Sequence, residues 1–227
     1  MSMIIGATAG GKKTSSIPPP AVIRSHAAGT LSSTNQNNLT LTMPPSWVTG
    51  DMLIAFVAKN LTLVIDTAVS GVNWVTEYNS GTTNVGLLIV QKIAEGNSGD
   101  GLDALRVTSS TSGRWAGRVY AVQNALVVRK QIGIAAPGVI DPPALTLPAT
   151  AQGYTFFSGA SQAGGIQTGP STGYGNLFGN EGGGSGSGGI LAVQDKFELK
   201  GTSEDPSALA PSNNTNNARF TIALAGS

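Results

Sequence analysis

Few residues in this chain could do chemistry, and they are far apart. The single histidine, His26, could serve a hydrolytic triad only if an acid oriented it and it touched a nucleophile. Lying beside Arg24, it reads as structural. Gly6-Ala-Thr-Ala-Gly-Gly11-Lys12-Lys13 comes close to a phosphate-binding loop. That motif needs Ser or Thr after the lysine, for magnesium, and a helix to aim its amides. Lys13 holds that place, and Pro18, Pro19 and Pro20 forbid a long helix. Asp100 and Asp103 lie in a turn rich in Gly, Ser and Asn, where oxygen ligands for calcium could gather. The acids lack the spacing of an EF-hand loop, and Asp is an ordinary turn former. Glu204-Asp205 reads the same way. Trp47, Trp74 and Trp115, with Tyr78, Tyr154 and Tyr174, could stack on sugars; Trp74 and Trp115 fit a core better, where large rings bury most area.

Composition bounds what could position these groups. The chain has 227 residues with 13 basic and 12 acidic side chains, a formal net charge of +1. No basic block can neutralise a run of phosphates, so nucleic acid is not an expected partner. Without cysteine there is no disulfide framework and no thiolate chemistry. The longest apolar run, Met52 to Ala58, falls well short of the ~20 residues of a spanning helix, so no membrane is expected. No basic start followed by a long apolar stretch marks a secretory signal. The expectation is a product that stays where it is made or leaves inside an assembly. With 31 glycines, 12 prolines and 40% hydrophobic residues, it reads as a turn-rich, weakly charged β protein.

Residues 1–20 read as an extended arm. Met3, Ile4 and Ile5 lead into Gly, Lys, Thr and Ser, and Ile17-Pro18-Pro19-Pro20 favours a polyproline II path. From Ala21 onward, short β segments alternate with turn residues. Strands are expected at Leu39–Met43, Met52–Ala58, Trp74–Tyr78, Val85–Ile93, Leu105–Ser109 and Trp115–Gln123. In the second half they are expected at Ala144–Leu147, Tyr154–Gly159, Ile190–Leu199 and Arg219–Leu224. No segment shows a capped helical stripe.

The pattern also repeats. Leu39-Thr40-Leu41 recurs as Leu145-Thr146-Leu147, and Gly86-Leu-Leu-Ile-Val-Gln91 as Gly189-Ile-Leu-Ala-Val-Gln194. Gly113-Arg114-Trp115 matches Ala218-Arg219-Phe220. These collinear matches, about a hundred residues apart, predict a duplicated meander. Two units are too few for a solenoid, and paired sheets in a sandwich suit them. The expected division is an arm at 1–20, a first repeat at 21–135 and a second at 136–227, packed as one unit.

Pro45-Ser-Trp47-Val-Thr-Gly50-Asp51 with its apolar strand, Gly71-Val-Asn-Trp74, Lys92-Ile-Ala-Glu-Gly96 and Arg114-Trp-Ala-Gly-Arg-Val-Tyr120 together resemble a duplicated β-sandwich domain of bacteriophage virion proteins and some bacterial surface proteins. The likeness covers most of residues 35–225. In the second half Gln152-Gly153 replaces Gly-Asp, and Tyr174 stands where Trp is usual. The resemblance implies an all-β, jelly-roll-like β-sandwich of two pseudo-repeats at the surface of a phage particle, assembled in the host cytoplasm. It carries no catalytic, cofactor or metal residues. The expected role is capsid decoration, with other virion proteins (major capsid protein or tail components) as partners. A homo-oligomer, in particular a trimer, suits such a surface. Ile4, Ile5, Ile17, Pro18, Pro19 and Pro20 are the expected contacts of the arm. Tyr174 and Phe178, beside the glycine-rich segment 182–189, form a candidate recognition loop. The alternative is a tail-fibre or tail-tip protein binding a host carbohydrate; the lack of heptads and short repeats weighs against it.

Overall fold

The computed structural model describes residues 18–32, 34–60, 65, 73–81, 85–135, 138–148, 152–163, 170–179, 189–200, 202–213 and 217–226. Their regular elements are all β-strands, and no helix occurs among them. The first part of the chain gives β1 (Val22–His26), β2 (Thr30–Leu31), β3 (Gln36–Thr40), β4 (Met52–Asn60), β5 (Val75–Gly81), β6 (Val85–Ile93), β7 (Arg106–Gly113) and β8 (Trp115–Gln123). The second gives β9 (Ala125–Ala135), β10 (Gly138–Ile140), β11 (Leu145–Thr146), β12 (Gln152–Ala163), β13 (Gly175–Gly179), β14 (Gly189–Lys200), β15 (Ser203–Glu204), β16 (Leu209–Asn213) and β17 (Asn217–Gly226).

Two antiparallel sheets pack face to face. The first runs β1-β8-β4-β6-β5, with β2 also on β8; the second runs β9-β17-β12-β14-β13. Met52, Ile54 and Phe56 of β4 meet Phe157, Val193, Phe220 and Ile222 between them. Phe56 stacks on Phe220 with centroids 5.0 Å apart, and Tyr120 meets Phe157 edge-on at 4.7 Å.

The outer faces are covered as well. The β3–β7 ribbon lays Leu39, Leu41, Leu105 and Val107 over Ala55, Val57, Leu88 and Val90. On the other side, Leu145 and Leu147 cover Tyr154 and Phe156, while Ile140 and Leu209 cover Ala160 and Ala192. The order through the molecule is therefore ribbon, sheet, sheet, ribbon. This explains the unbroken apolar run at Met52–Ala58. An antiparallel strand with one wet face would alternate, but β4 is buried along all nine residues. Met52, Leu53, Ile54, Phe56 and Val57 each contribute roughly 1.5–3 kcal/mol when fully withdrawn from water.

The chain completes the first sheet before it starts the second, so the jelly-roll likeness goes no further than the sandwich itself. The handover falls at Asn124, whose φ of 59° is one that Asn accepts more readily than most residues. The boundary expected at 135 therefore lies earlier: β9 pairs with β17 from Ala125 to Ala135 and belongs to the second sheet. β9 was not foreseen because, as an edge strand with Arg129, Lys130 and Gln131 exposed in mid-strand, it shows no apolar periodicity.

The residue matching between the halves also shifts. Aligning Gly86–Gln91 with Gly189–Gln194 sets Ile89 on Ala192 and Val90 on Val193. In the fold Ile89 and Val193 both point between the sheets, whereas Val90 and Ala192 point outward. Side chains alternate with period two, so a slip of one residue reverses every face.

Candidate functional site

The groups singled out for chemistry are occupied in holding the fold. Lys92, at the end of β6, places Nζ 2.7 Å from Asp103 Oδ1, and both side chains are 0% exposed. Asp103 also accepts from the Trp47 indole at 3.2 Å and from the N–H groups of Glu95 and Gly96. Burial pushes its pKa up. The bonds from Lys92 and the N–H donors outweigh burial and hold the carboxyl below its ordinary value. Asp100 instead caps its own turn through the N–H groups of Asn97 and Leu102. Among the described residues, no three His, Asp or Glu gather as metal ligands.

The second half has a similar tie. Lys196, within β14, lies 3.0 Å from Glu204 and 2.7 Å from Glu198. The Tyr174 hydroxyl donates to Glu204 at 3.1 Å; burial, then the Glu204 charge, pushes its pKa upward. Tyr174 and Phe178 are 7% and 8% exposed. Their rings are packed inside, so the expectation of a recognition loop is corrected: they present no stacking face.

A third polar group sits between the sheets. Arg118 of β8 donates to the Ala27 carbonyl at 3.0 Å, the Asn176 carbonyl at 2.6 Å and His26 Nδ1 at 2.6 Å. It lies over the Tyr120 and Phe178 rings. Its Asn176 bond links β8 to β13 and thus one sheet to the other. Nearby Asp195 accepts from Asn176 at 3.0 Å; desolvation raises its pKa against the opposing effects of Asn176, His26 and Arg118. The imidazole is a structural acceptor here.

One motif escaped the sequence reading. Gly169-Pro170-Ser171-Thr172-Gly173 has the spacing of a nucleophile elbow. Ser171 Oγ, however, donates to the Ser207 carbonyl at 2.7 Å and accepts from Gln194 at 2.8 Å. The only imidazole is bound to Arg118.

The feature open to solvent is an apolar groove at one end of the sandwich. Met52 begins β4, Val75 begins β5, Ile93 ends β6, and Leu126 is the second residue of β9; together they line a hollow of about 670 Å³. Val75, Ile93 and Leu126 are 55%, 43% and 59% exposed. An adjoining hollow of about 340 Å³, walled by Arg24, Val48, Asp51 and Asn124, shares Thr49 and Leu126 with it. The rim is polar but largely self-paired. Arg24 binds Asp51 through Nε at 2.6 Å, and Asn73 donates to Glu95. Such a surface suits an apolar segment of another polypeptide rather than a charged small molecule. Its residues come from separate strands, and each read alone as an ordinary strand residue.

Of the expected arm contacts, Pro18, Pro19 and Pro20 are described. Pro20 rests on Gly153, and the Pro19 carbonyl on Gly226, where a side chain would have no room. Asn124 donates to the Pro20 carbonyl at 3.4 Å. Ile4, Ile5, Ile17, the Gly6–Lys13 motif and most of the glycine-rich segment lie outside the described residues. Comparison with known protein families, curated proteins and solved structures gives no match to this chain.

Proposed function

We propose that this chain is a non-enzymatic structural protein of a bacteriophage particle, with capsid decoration as its role. The observation that carries the reading is how its chemistry-capable side chains are spent. Lys92, Asp103, Arg118, His26, Lys196 and Glu204 tie strands together, while the groove around Val75, Ile93 and Leu126 offers apolar area to a neighbour. The motif resemblance around Trp47, Gly50-Asp51 and Trp74 supports the particle assignment. Decoration proteins hold by many weak contacts, which add through multivalency. Partners are the major capsid protein and further copies of this chain, a trimer being the assembly to look for first.

Copy number in purified particles tests it. Hundreds of copies per particle are expected. A dozen or fewer would move the protein to the tail, and absence from particles would end the reading. Leu126→Asp should lower occupancy at least tenfold while the melting temperature stays within a degree or two, since exposed positions seldom change stability by more than about 0.5 kcal/mol. Unchanged occupancy would remove the groove from the docking surface.

A further inference from the structure

We infer that the outer edge of β9 is a self-association surface, on which β9 of a second copy pairs antiparallel about a two-fold axis through Lys130. The inference stands apart from the particle assignment, and its test reads mass in solution rather than occupancy. Among the described residues β9 pairs with β17 alone, so it ends the second sheet. β5, the last strand of the first sheet, packs over β17. β9 therefore stands outermost on this side, and its eleven residues offer a backbone edge to an added strand.

The side chains along that edge are self-complementary. Even-numbered residues of β9 face the first sheet: Ile132 packs against the core between the sheets, and Lys130 Nζ lies 2.6 Å from Glu77 Oε2 on β5. Leu126 and Ile134 share this face, yet are 59% and 52% exposed. Each stands four residues from Lys130, on opposite sides of it. A two-fold axis normal to the sheet keeps every side chain on its own face, so residues placed symmetrically about the axis meet directly. Centred on Lys130, Leu126 of each copy meets Ile134 of the other, and both apolar pairs leave water.

The charges permit this register. Lys130 meets its own copy at the axis, but each ammonium is paired with Glu77 of its own chain. Arg129 falls opposite Gln131, whose amide oxygen can accept from the guanidinium. Gly133 has open space where a side chain would stand, so it does not obstruct the neighbouring strand. A contact of this kind is isologous and closes on itself, and it can coexist with a three-fold contact in one closed assembly.

Because the sequence has no cysteine, the register can be trapped. The full chain carrying Leu126→Cys with Ile134→Cys, treated with a short bismaleimide, should give covalent dimers. Either cysteine alone should not, since the two copies of one position would stand ~27 Å apart along strands that rise ~3.4 Å per residue. Contacts of one strand per copy belong to the small, transient class, so sedimentation should show wild-type dimers at on the order of 100 µM. Leu126 belongs to the groove as well as to this edge, so the variant that separates the two is at Ile134, outside the groove. Ile134→Lys should weaken the dimer at least tenfold while the melt in dilute solution stays unchanged. A monomeric wild type at that concentration, an unlinked double variant, linkage through one cysteine alone, or Ile134→Lys dimers of undiminished strength would each overturn the inference.

Discussion

Lys92 and Asp103 set the terms at the residue scale. A carboxylate and an ammonium, both withdrawn from water at 2.7 Å, gain little over apolar residues of the same shape. Removing one partner, however, leaves a buried charge, at a cost of about 3 kcal/mol or more. Lys92→Met should therefore destabilise by about that amount in denaturant melts, and the double variant Lys92→Met/Asp103→Leu should recover much of it. A loss under 1 kcal/mol in the single variant would show that water reaches the pair. The same carboxyl gives a pH dependence. Its folded pKa is depressed, so its contribution is fully present above the unfolded value of about 4 and is lost as pH falls through the folded value. Melting temperatures of the wild type should drop faster below pH 4 than those of Asp103→Asn.

Strands show where sequence and fold part company. β6 and β8 begin and end where their apolar patterns do, at Val85–Ile93 and Trp115–Gln123, because each is a run between turn residues. β4 was legible as a buried strand, yet nothing local said that a ribbon covers its second face; that depends on Leu39 and Leu105, each over ten residues away. The residue matches read as a repeat do not establish one: Gly, Leu and Val serve either face, and the aligned Ile89 and Ala192 point opposite ways. The groove was not legible at all. Val75, Ile93 and Leu126 converge only after β5 has paired with β6 and the sheet holding β9 has packed against theirs.

Two chain-length predictions belong at this scale. Removing residues 2–17 should leave the fold intact, whereas removing 2–20 strips Pro19 and Pro20 from Gly226 and Gly153 and should lower the melting temperature by several degrees. Equal melting of the two would show that the prolines add nothing. A chain truncated after Asn124 would leave Ile54, Phe56, Ile89 and Tyr120 without a facing sheet. It should be insoluble or lack a cooperative transition; a sharp melt would make the first sheet with its ribbon a unit of its own.

The whole molecule reads as a layered plate, with Lys92, Asp103, Arg118 and Glu204 buried and one end carrying the exposed apolar side chains of Val75, Ile93 and Leu126. Low charge, which first suggested only that nucleic acid is not a partner, gains a second meaning. A surface with few charges sheds little hydration when it meets another subunit, so desolvation costs stay small on docking. On the proposed capsid role, variants lacking residues 2–17 should bind particles more weakly than the full chain. Equal or faster binding would remove the arm from the docking contacts.

The handover at Asn124 has a consequence in time. Because every strand of the first sheet lies before that residue and every strand of the second after it, the ribosome delivers all the strands of the first sheet before any strand that covers their inner face. The roughly one hundred residues still to come take on the order of 5–20 s at ordinary elongation rates. Through that interval the nascent chain carries a bare apolar face. Its yield in the cell should therefore depend on chaperone supply and on codon speed downstream of Asn124, more than on anything measured from the completed protein.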